Sequence, residues 1–371
     1  MRVPFVDLKA QYEGIKPEID RAVASVIADT AFIGGKYVRA FEEAFATYGE
    51  VKHCIGVGNG TDAIYIALRS LRIGEGDEVI TAANSFIATS EAITMTGARV
   101  VFVDCDPRTC NLDLKKVREA ITPRTKAIVP VHLYGRPVDM EELAGITGKR
   151  KIFFVEDAAQ AHGAQINGRR VGTFGKLACF SFYPGKNLGA YGDAGAIVTD
   201  DESLAAQCRM IANHGRIKKY DHDFEGVNSR LDGLQAAILL AKLGHLEAWT
   251  ERRRAIASLY GELLRGSGVA TPEEADGMRH VYHLYVVRVP DRGAVQHALD
   301  EAGIATGVHY PIALPGLAAY RYLGHRPEDF PVAHRYAGEI LSLPMFPELT
   351  DEQVAYVCDV LRRAVRGKET G

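Results

Sequence analysis

The chain has 371 residues, 47% of them hydrophobic and 25% charged, with a formal net charge of −3. That length supports a large buried core and roughly two domains, and the near-neutral balance argues against a general affinity for nucleic acid. Six cysteines without a CxxC pair or a cysteine–histidine cluster read as reduced thiols of a cytoplasmic protein, with no metal site expected.

Asp7 and Lys9 interrupt any apolar stretch at the N-terminus, so no signal peptide is expected. No run reaches the ~18–20 apolar residues of a membrane helix. Helical patterns cover 15–28 and 35–48. Between about 50 and 200, β-branched runs at 78–82, 99–104, 126–131, 152–156, 178–183 and 196–199 alternate with helical periods at 61–71, 87–96, 114–120 and 140–145. This pattern predicts an α/β fold with a mostly parallel sheet covered on both faces. The last two runs adjoin without a helix and predict antiparallel strands at one side. The segments 231–243 and 249–264 read as one long helix or two with a break near Gly244. A strand over 280–289, a helix over 292–302, a strand over 305–310 and a final helix over 351–365 predict a smaller α+β domain. The boundary is placed near 250, giving a large domain of 1–250 and a small one of 251–371.

The most informative residue is Lys186, in a turn set by Pro184 and Gly185 between two strands. Asp157 ends the preceding strand, where ligand chemistry is expected in a parallel sheet. A lysine that carries an aldehyde as a Schiff base and a carboxylate that keeps a pyridine nitrogen protonated are what pyridoxal phosphate needs. The segment Gly56-Val-Gly-Asn-Gly-Thr-Asp-Ala63 opens a helix, and Gly60 and Thr61 are its best phosphate donors; a capped structural turn reads equally well. Phe86 follows a strand and either stacks on a cofactor ring or packs in the core. Gln160 covers the other ring face or faces solvent, Asp157 alternatively caps a helix, and the Ser181 hydroxyl reaches the phosphate or is satisfied within the sheet.

Taken together, Asn59-Gly-Thr-Asp-Ala63, Val155-Glu-Asp-Ala-Ala-Gln-Ala-His-Gly163, Phe180-Ser-Phe-Tyr-Pro-Gly-Lys-Asn-Leu-Gly189, Gly226-Val-Asn-Ser-Arg-Leu-Asp232, His309-Tyr-Pro311 and Leu341-Ser-Leu-Pro344 resemble the DegT/DnrJ/EryC1 nucleotide-sugar aminotransferases. The resemblance covers nearly the whole chain and implies the fold type I (aspartate aminotransferase-like) architecture. It implies that Lys186 anchors pyridoxal 5′-phosphate, Asp157 pairs with the pyridine nitrogen, Gln160 and Phe86 flank the ring, and Gly60, Thr61 and Ser181 hold the phosphate. It further implies a homodimer with composite active sites. Asn228 would reach the partner's phosphate, and Arg230, His309 and Tyr310 would serve the substrate end, also from the partner. From the residues themselves, Asn228 and Arg230 equally suit a local loop network and His309 a core histidine.

The implied reaction moves an amino group from L-glutamate to a nucleoside-diphosphate-linked keto sugar. The pattern favours the branch acting on 3-keto over 4-keto hexoses. Arg216, Lys218 and Lys219 are candidates for the diphosphate, or for a solvated loop. Three other readings compete. A sugar dehydratase on this fold replaces the anchoring lysine with histidine, and Lys186 argues against it. A non-catalytic sugar-binding regulatory protein has no need of that lysine. A nicotinamide reductase requires a glycine fingerprint that is incomplete here.

Overall fold

The computed structural model describes residues 1–366. Its centre is a seven-stranded sheet in the order His53–Val57, Gly195–Thr199, Leu177–Ser181, Phe153–Asp157, Thr125–Val129, Glu78–Ala82, Arg99–Val103. Only Gly195–Thr199 runs against its neighbours. The expected antiparallel side is therefore made by one reversed strand, and the other strands run parallel. The strands bury both faces, as continuous apolar runs demand: Glu78–Ala82 and Gly195–Thr199 are buried at every position.

Helices cover the sheet. Gly60–Ser70 buries Ala63 to Leu68 without interruption, so it lies inside the molecule. On the other face Phe45 meets Phe180 and Phe182 edge-on at 5.1 and 5.2 Å. The first helix runs Leu8–Ala28, seven residues earlier than its periodicity predicts. Asp7 caps it by accepting from the Ala10 amide at 2.9 Å. Ile15, two residues before Pro17, leaves helical geometry (φ −125°, ψ 16°), and this kink hides the first two turns from a periodicity reading. The segment after 230 forms two helices, Gly233–Leu243 and Leu246–Leu263, broken at Gly244 as the sequence allows.

A second core gathers Val3, Ile256, Tyr260, Tyr285, Leu299, Leu343, Phe346 and the helix Asp351–Arg366. Its sheet is Tyr285–Arg288 paired antiparallel with Ile340–Leu343. Two expectations are corrected here. The 280–289 strand shortens to four residues, and 305–310 is not a strand: only Gly307 joins the ladder, bridging Ser342. The helix Pro331–Glu339, absent from the sequence reading, lies just before the true partner strand. Its first turn is satisfied from the large sheet, because buried Asp104 accepts from the Val332 and Ala333 amides at 3.0 and 2.8 Å. No described helix is long and apolar enough to cross a membrane, and no described group of three His, Cys, Asp or Glu could hold a metal ion.

Candidate active site

A cavity of about 870 Å³ opens where the carboxyl ends of the sheet strands meet the second core. Gly60, Thr61, Phe86, Asp157, Gln160, Ser181, Lys186, His309 and Tyr310 all line it. Nine of the fourteen candidate site residues read from the sequence thus converge on one cavity within one chain.

Lys186 sits on a turn fixed from several sides. Its amide donates to Tyr183 O at 2.8 Å. The buried Asn187 side chain donates to Val281 O at 3.0 Å, and buried Lys242 donates to Gly189 O at 2.5 Å. A Cβ at Gly189 would stand 2.2 Å from Pro184 O, so the turn closes only around glycine. Burial lowers the Lys186 amine from 10.5 to about 8, against an opposing pull from Asp157. A solvated surface lysine would show no such shift.

Asp157 is 5% exposed at the end of Phe153–Asp157. Burial raises its pKa, countered by a hydrogen bond from Thr89 Oγ1 at 2.7 Å, by the Ala159 amide at 3.2 Å, and by the charges of Lys186 and His132. No helix follows, so the capping alternative for Asp157 falls away. The strand end is braced by its neighbour: Glu156, pointing to the opposite face, accepts from the Gly172, Phe174 and Gly175 amides and pairs with His132 Nε2 at 3.1 Å.

Asn59 caps Gly60–Ser70, accepting from the Asp62 amide at 2.8 Å. The amides of Gly60 and Thr61, ahead of it, have no acceptor within the helix. A Cβ on Gly60 would stand 2.7 Å from Ser181 Cβ, so glycine is what lets the helix end approach the strand. Phe86 is 53% exposed and tilts against Tyr310 with centroids 5.4 Å apart, which removes the core-packing reading. Gln160 is buried, not solvent-facing: Oε1 accepts from the Tyr134 amide at 2.6 Å and Nε2 donates to Tyr310 Oη at 3.3 Å.

His309 and Tyr310 correct one expectation. They line the cavity of their own chain, alongside Lys186, and do not require a partner to reach it. Burial and Lys186 lower His309 to about 4, and burial raises the Tyr310 hydroxyl. Asn228 and Arg230 are not among the lining residues. Asn228 is exposed and bridges Asn213, whose side chain also accepts weakly from Arg230 at 3.5 Å. Arg216 and Lys218 lie on a two-stranded ribbon, Arg216–Lys218 with Asp221–His222, and Lys219 and Tyr220 form its turn. Tyr220 is 84% exposed there.

Several lining residues escaped the sequence reading. Thr89 lies three positions after Phe86, one helical turn on, so that spacing was a usable signal. Tyr183 follows Ser181 by two on the same side of an extended segment, a second usable signal. Phe5 and His283 come from distant parts of the chain, and no local pattern marks them.

Residues 13–362 match the model of the DegT/DnrJ/EryC1/StrS aminotransferase family. A protein of Geobacillus stearothermophilus named "Pleiotropic regulatory protein" is 50% identical over 369 residues, spanning 99% of each chain. UDP-N-acetyl-3-dehydro-alpha-D-glucosamine 3-aminotransferase of Acidithiobacillus ferrooxidans is 45% identical over 365 residues, 98% of each. Among solved structures, S. venezuelae DesV in complex with a ketimine intermediate superposes with a TM-score of 0.96 at 44% identity, covering 98% of each chain. The match in sequence along almost the whole length, and in fold, agrees with the arrangement of Lys186, Asp157 and the Gly60 helix end, and the chain belongs to the DegT/DnrJ/EryC1/StrS aminotransferase family.

Proposed function

We propose that this chain is a pyridoxal 5′-phosphate-dependent aminotransferase that moves an amino group from L-glutamate to a 3-keto hexose carried on a nucleoside diphosphate. The observation that carries the reading is the convergence of Lys186, Asp157 and the Gly60–Thr61 helix end on one cavity. The residues fit the cofactor. Two helix-end amides without helical acceptors, beside Ser181, suit a phosphate. A carboxylate whose burial raises its pKa is suited by a cationic ring nitrogen, which restores its ionised form. A half-buried amine lowered to about 8 by desolvation is suited to an aldehyde, because the free base is the nucleophile.

Bound there, pyridoxal phosphate supplies an electron-withdrawing ring that stabilises negative charge at the carbon carrying the amine. The protein does the rest. Asp157, held by Thr89 and the Ala159 amide, presents its carboxylate to the ring nitrogen. Gln160 and Phe86, which line the same cavity, would flank the ring. The Lys186 amine takes the proton from the glutamate α-carbon and later returns one to the sugar carbon that receives nitrogen. Glutamate leaves as 2-oxoglutarate, and the keto sugar leaves as an amino sugar for amino-sugar or polysaccharide biosynthesis. The name of the A. ferrooxidans relative supports a 3-keto acceptor, and no observation on this chain favours a 4-keto one.

The same proposal includes a homodimer in which Asn228 and Arg230, outside their own cavity, serve the partner's, with Arg216, Lys218 and Lys219 placed for the diphosphate. It divides the chain into a cofactor-binding part up to about residue 250 and a smaller part beyond, and places the protein in the cytoplasm, where its six unpaired cysteines stay reduced. A regulatory sugar-binding reading is favoured only by the names of relatives, among them that of the G. stearothermophilus protein. A desolvated, half-buried lysine amine is costly and useless to a binder.

The deciding experiment is the visible spectrum of the purified protein, before and after L-glutamate. A lysine-bound cofactor band that bleaches with glutamate and returns with a nucleotide-linked 3-keto sugar is expected. No band after loading with pyridoxal phosphate would leave the regulatory reading.

A further inference from the structure

The sequence motif Leu341-Ser-Leu-Pro344 has no role in the scheme above, yet it places one side chain against the cavity wall. Ser342 is completely buried, and its backbone is locked to Gly307 by a reciprocal pair of hydrogen bonds, 2.8 and 3.1 Å. Its Oγ lies 2.8 Å from His309 Nδ1 and makes no other hydrogen bond among the described residues. A buried hydroxyl that has one neighbour must give that neighbour its proton or leave it unpaired, at the cost of desolvating a donor. The hydroxyl therefore donates, Nδ1 accepts, and the ring proton of neutral His309 resides on Nε2.

The surroundings keep the ring in place and neutral. Phe5 stacks on its face, with centroids 5.7 Å apart and planes 17° apart, and Tyr310 meets it edge-on at 5.6 Å. Gly307 allows the approach, since a Cβ there would stand 2.7 Å from His309 Cε1. Protonating the ring would require Nδ1–H to face the hydroxyl and would leave the hydroxyl proton without an acceptor. Burial and the nearby Lys186 amine oppose that proton as well. Nε2 has no hydrogen-bond partner among the described residues, and His309 lines the cavity.

We propose that Ser342 is a positioning residue that fixes His309 as a neutral Nε2–H donor, and that this donor binds a neutral oxygen of the sugar, a hydroxyl or the keto group. Recognition of the sugar oxygen rests on the proposed function; the tautomer does not. A neutral donor suits an uncharged oxygen without stabilising a carboxylate as an imidazolium would, so the site distinguishes the sugar from the amino-acid donor that shares the cavity.

The test uses the cofactor-loaded protein labelled with ¹⁵N-histidine, with the His309 signals identified by their loss in His309→Asn. Nδ1 should resonate as a pyridine-type nitrogen and Nε2 as a pyrrole-type nitrogen bearing a proton. Titration with UDP-N-acetylglucosamine, an unreactive nucleotide sugar, should move the Nε2–H signal. In Ser342→Ala the ring should populate both tautomers and the dissociation constant should rise about tenfold, the loss of roughly one hydrogen bond's worth of orientation. Ser342→Thr, which keeps the hydroxyl, should restore both, and thermal melting shows whether each variant is folded. A pyridine-type Nε2, a doubly protonated ring, or a tautomer unchanged in a folded Ser342→Ala would overturn the assignment. A correct tautomer with no response to the nucleotide sugar would overturn the recognition step. Failure to turn over any keto sugar while both readouts hold would instead count against the proposed transamination.

Discussion

The lowered pKa of Lys186 has a consequence that can be measured without substrate. With its amine at about 8 rather than 10.5, about one molecule in ten carries the free base at pH 7, against about one in three thousand for an ordinary lysine. The gain is about 300-fold in nucleophile concentration. The same shift works against the fold. A lysine whose folded pKa lies below its unfolded value contributes no penalty above 10.5, and its cost grows as pH falls toward 8; below that it levels off at about 3 kcal/mol. The assay is competitive labelling of cofactor-free protein with a trace amine-reactive anhydride from pH 6 to 11, reading the Lys186 peptide by mass spectrometry. Its midpoint should fall near 8. Asp157→Asn removes the carboxylate that raises the amine, so in that variant the midpoint should move lower still. A wild-type midpoint at 10.5 would mean an amine in water, and the burial argument for Lys186 would be wrong.

Other consequences test separate parts of the structure. Gly60→Ala forces Cβ to 2.7 Å from Ser181 Cβ, so the helix end must shift; a loss of about 1–3 kcal/mol in stability and weaker retention of pyridoxal phosphate on dialysis are expected. Unchanged retention would remove that helix end from the phosphate site. Phe45→Ala deletes a ring only 1% exposed between Phe180 and Phe182, and urea unfolding should show a loss of about 3–5 kcal/mol. Lys186→Ala should abolish turnover, and mixing it with Asn228→Ala under conditions that exchange subunits should regain about a quarter of wild-type activity, because each mixed dimer rebuilds one intact site. A mixture as inactive as its components would refute the composite site.

The alternation of apolar runs and helical periods between 50 and 200 was enough to determine the parallel sheet, because a strand buried on both faces has to be written as an unbroken β-branched run. The glycine-opened helix at Gly60, the strand-end Asp157 and the turn lysine Lys186 were legible for a similar reason: each is a local device whose residue types follow from backbone geometry. The C-terminal part was harder to read. The strand expected over 305–310 contributes a single bridge, and its place is taken by Ile340–Leu343, since four-residue strands carry too little period to rank against one another. What only the tertiary structure decided is which distant groups share a wall: Thr89 on Asp157, Ser342 on His309, Phe5 over the same ring, and His309 in its own chain's cavity. Residue types along a chain specify local conformation and burial, whereas the partner of a buried hydroxyl or imidazole is chosen by packing between segments tens to hundreds of residues apart, which no local spacing records.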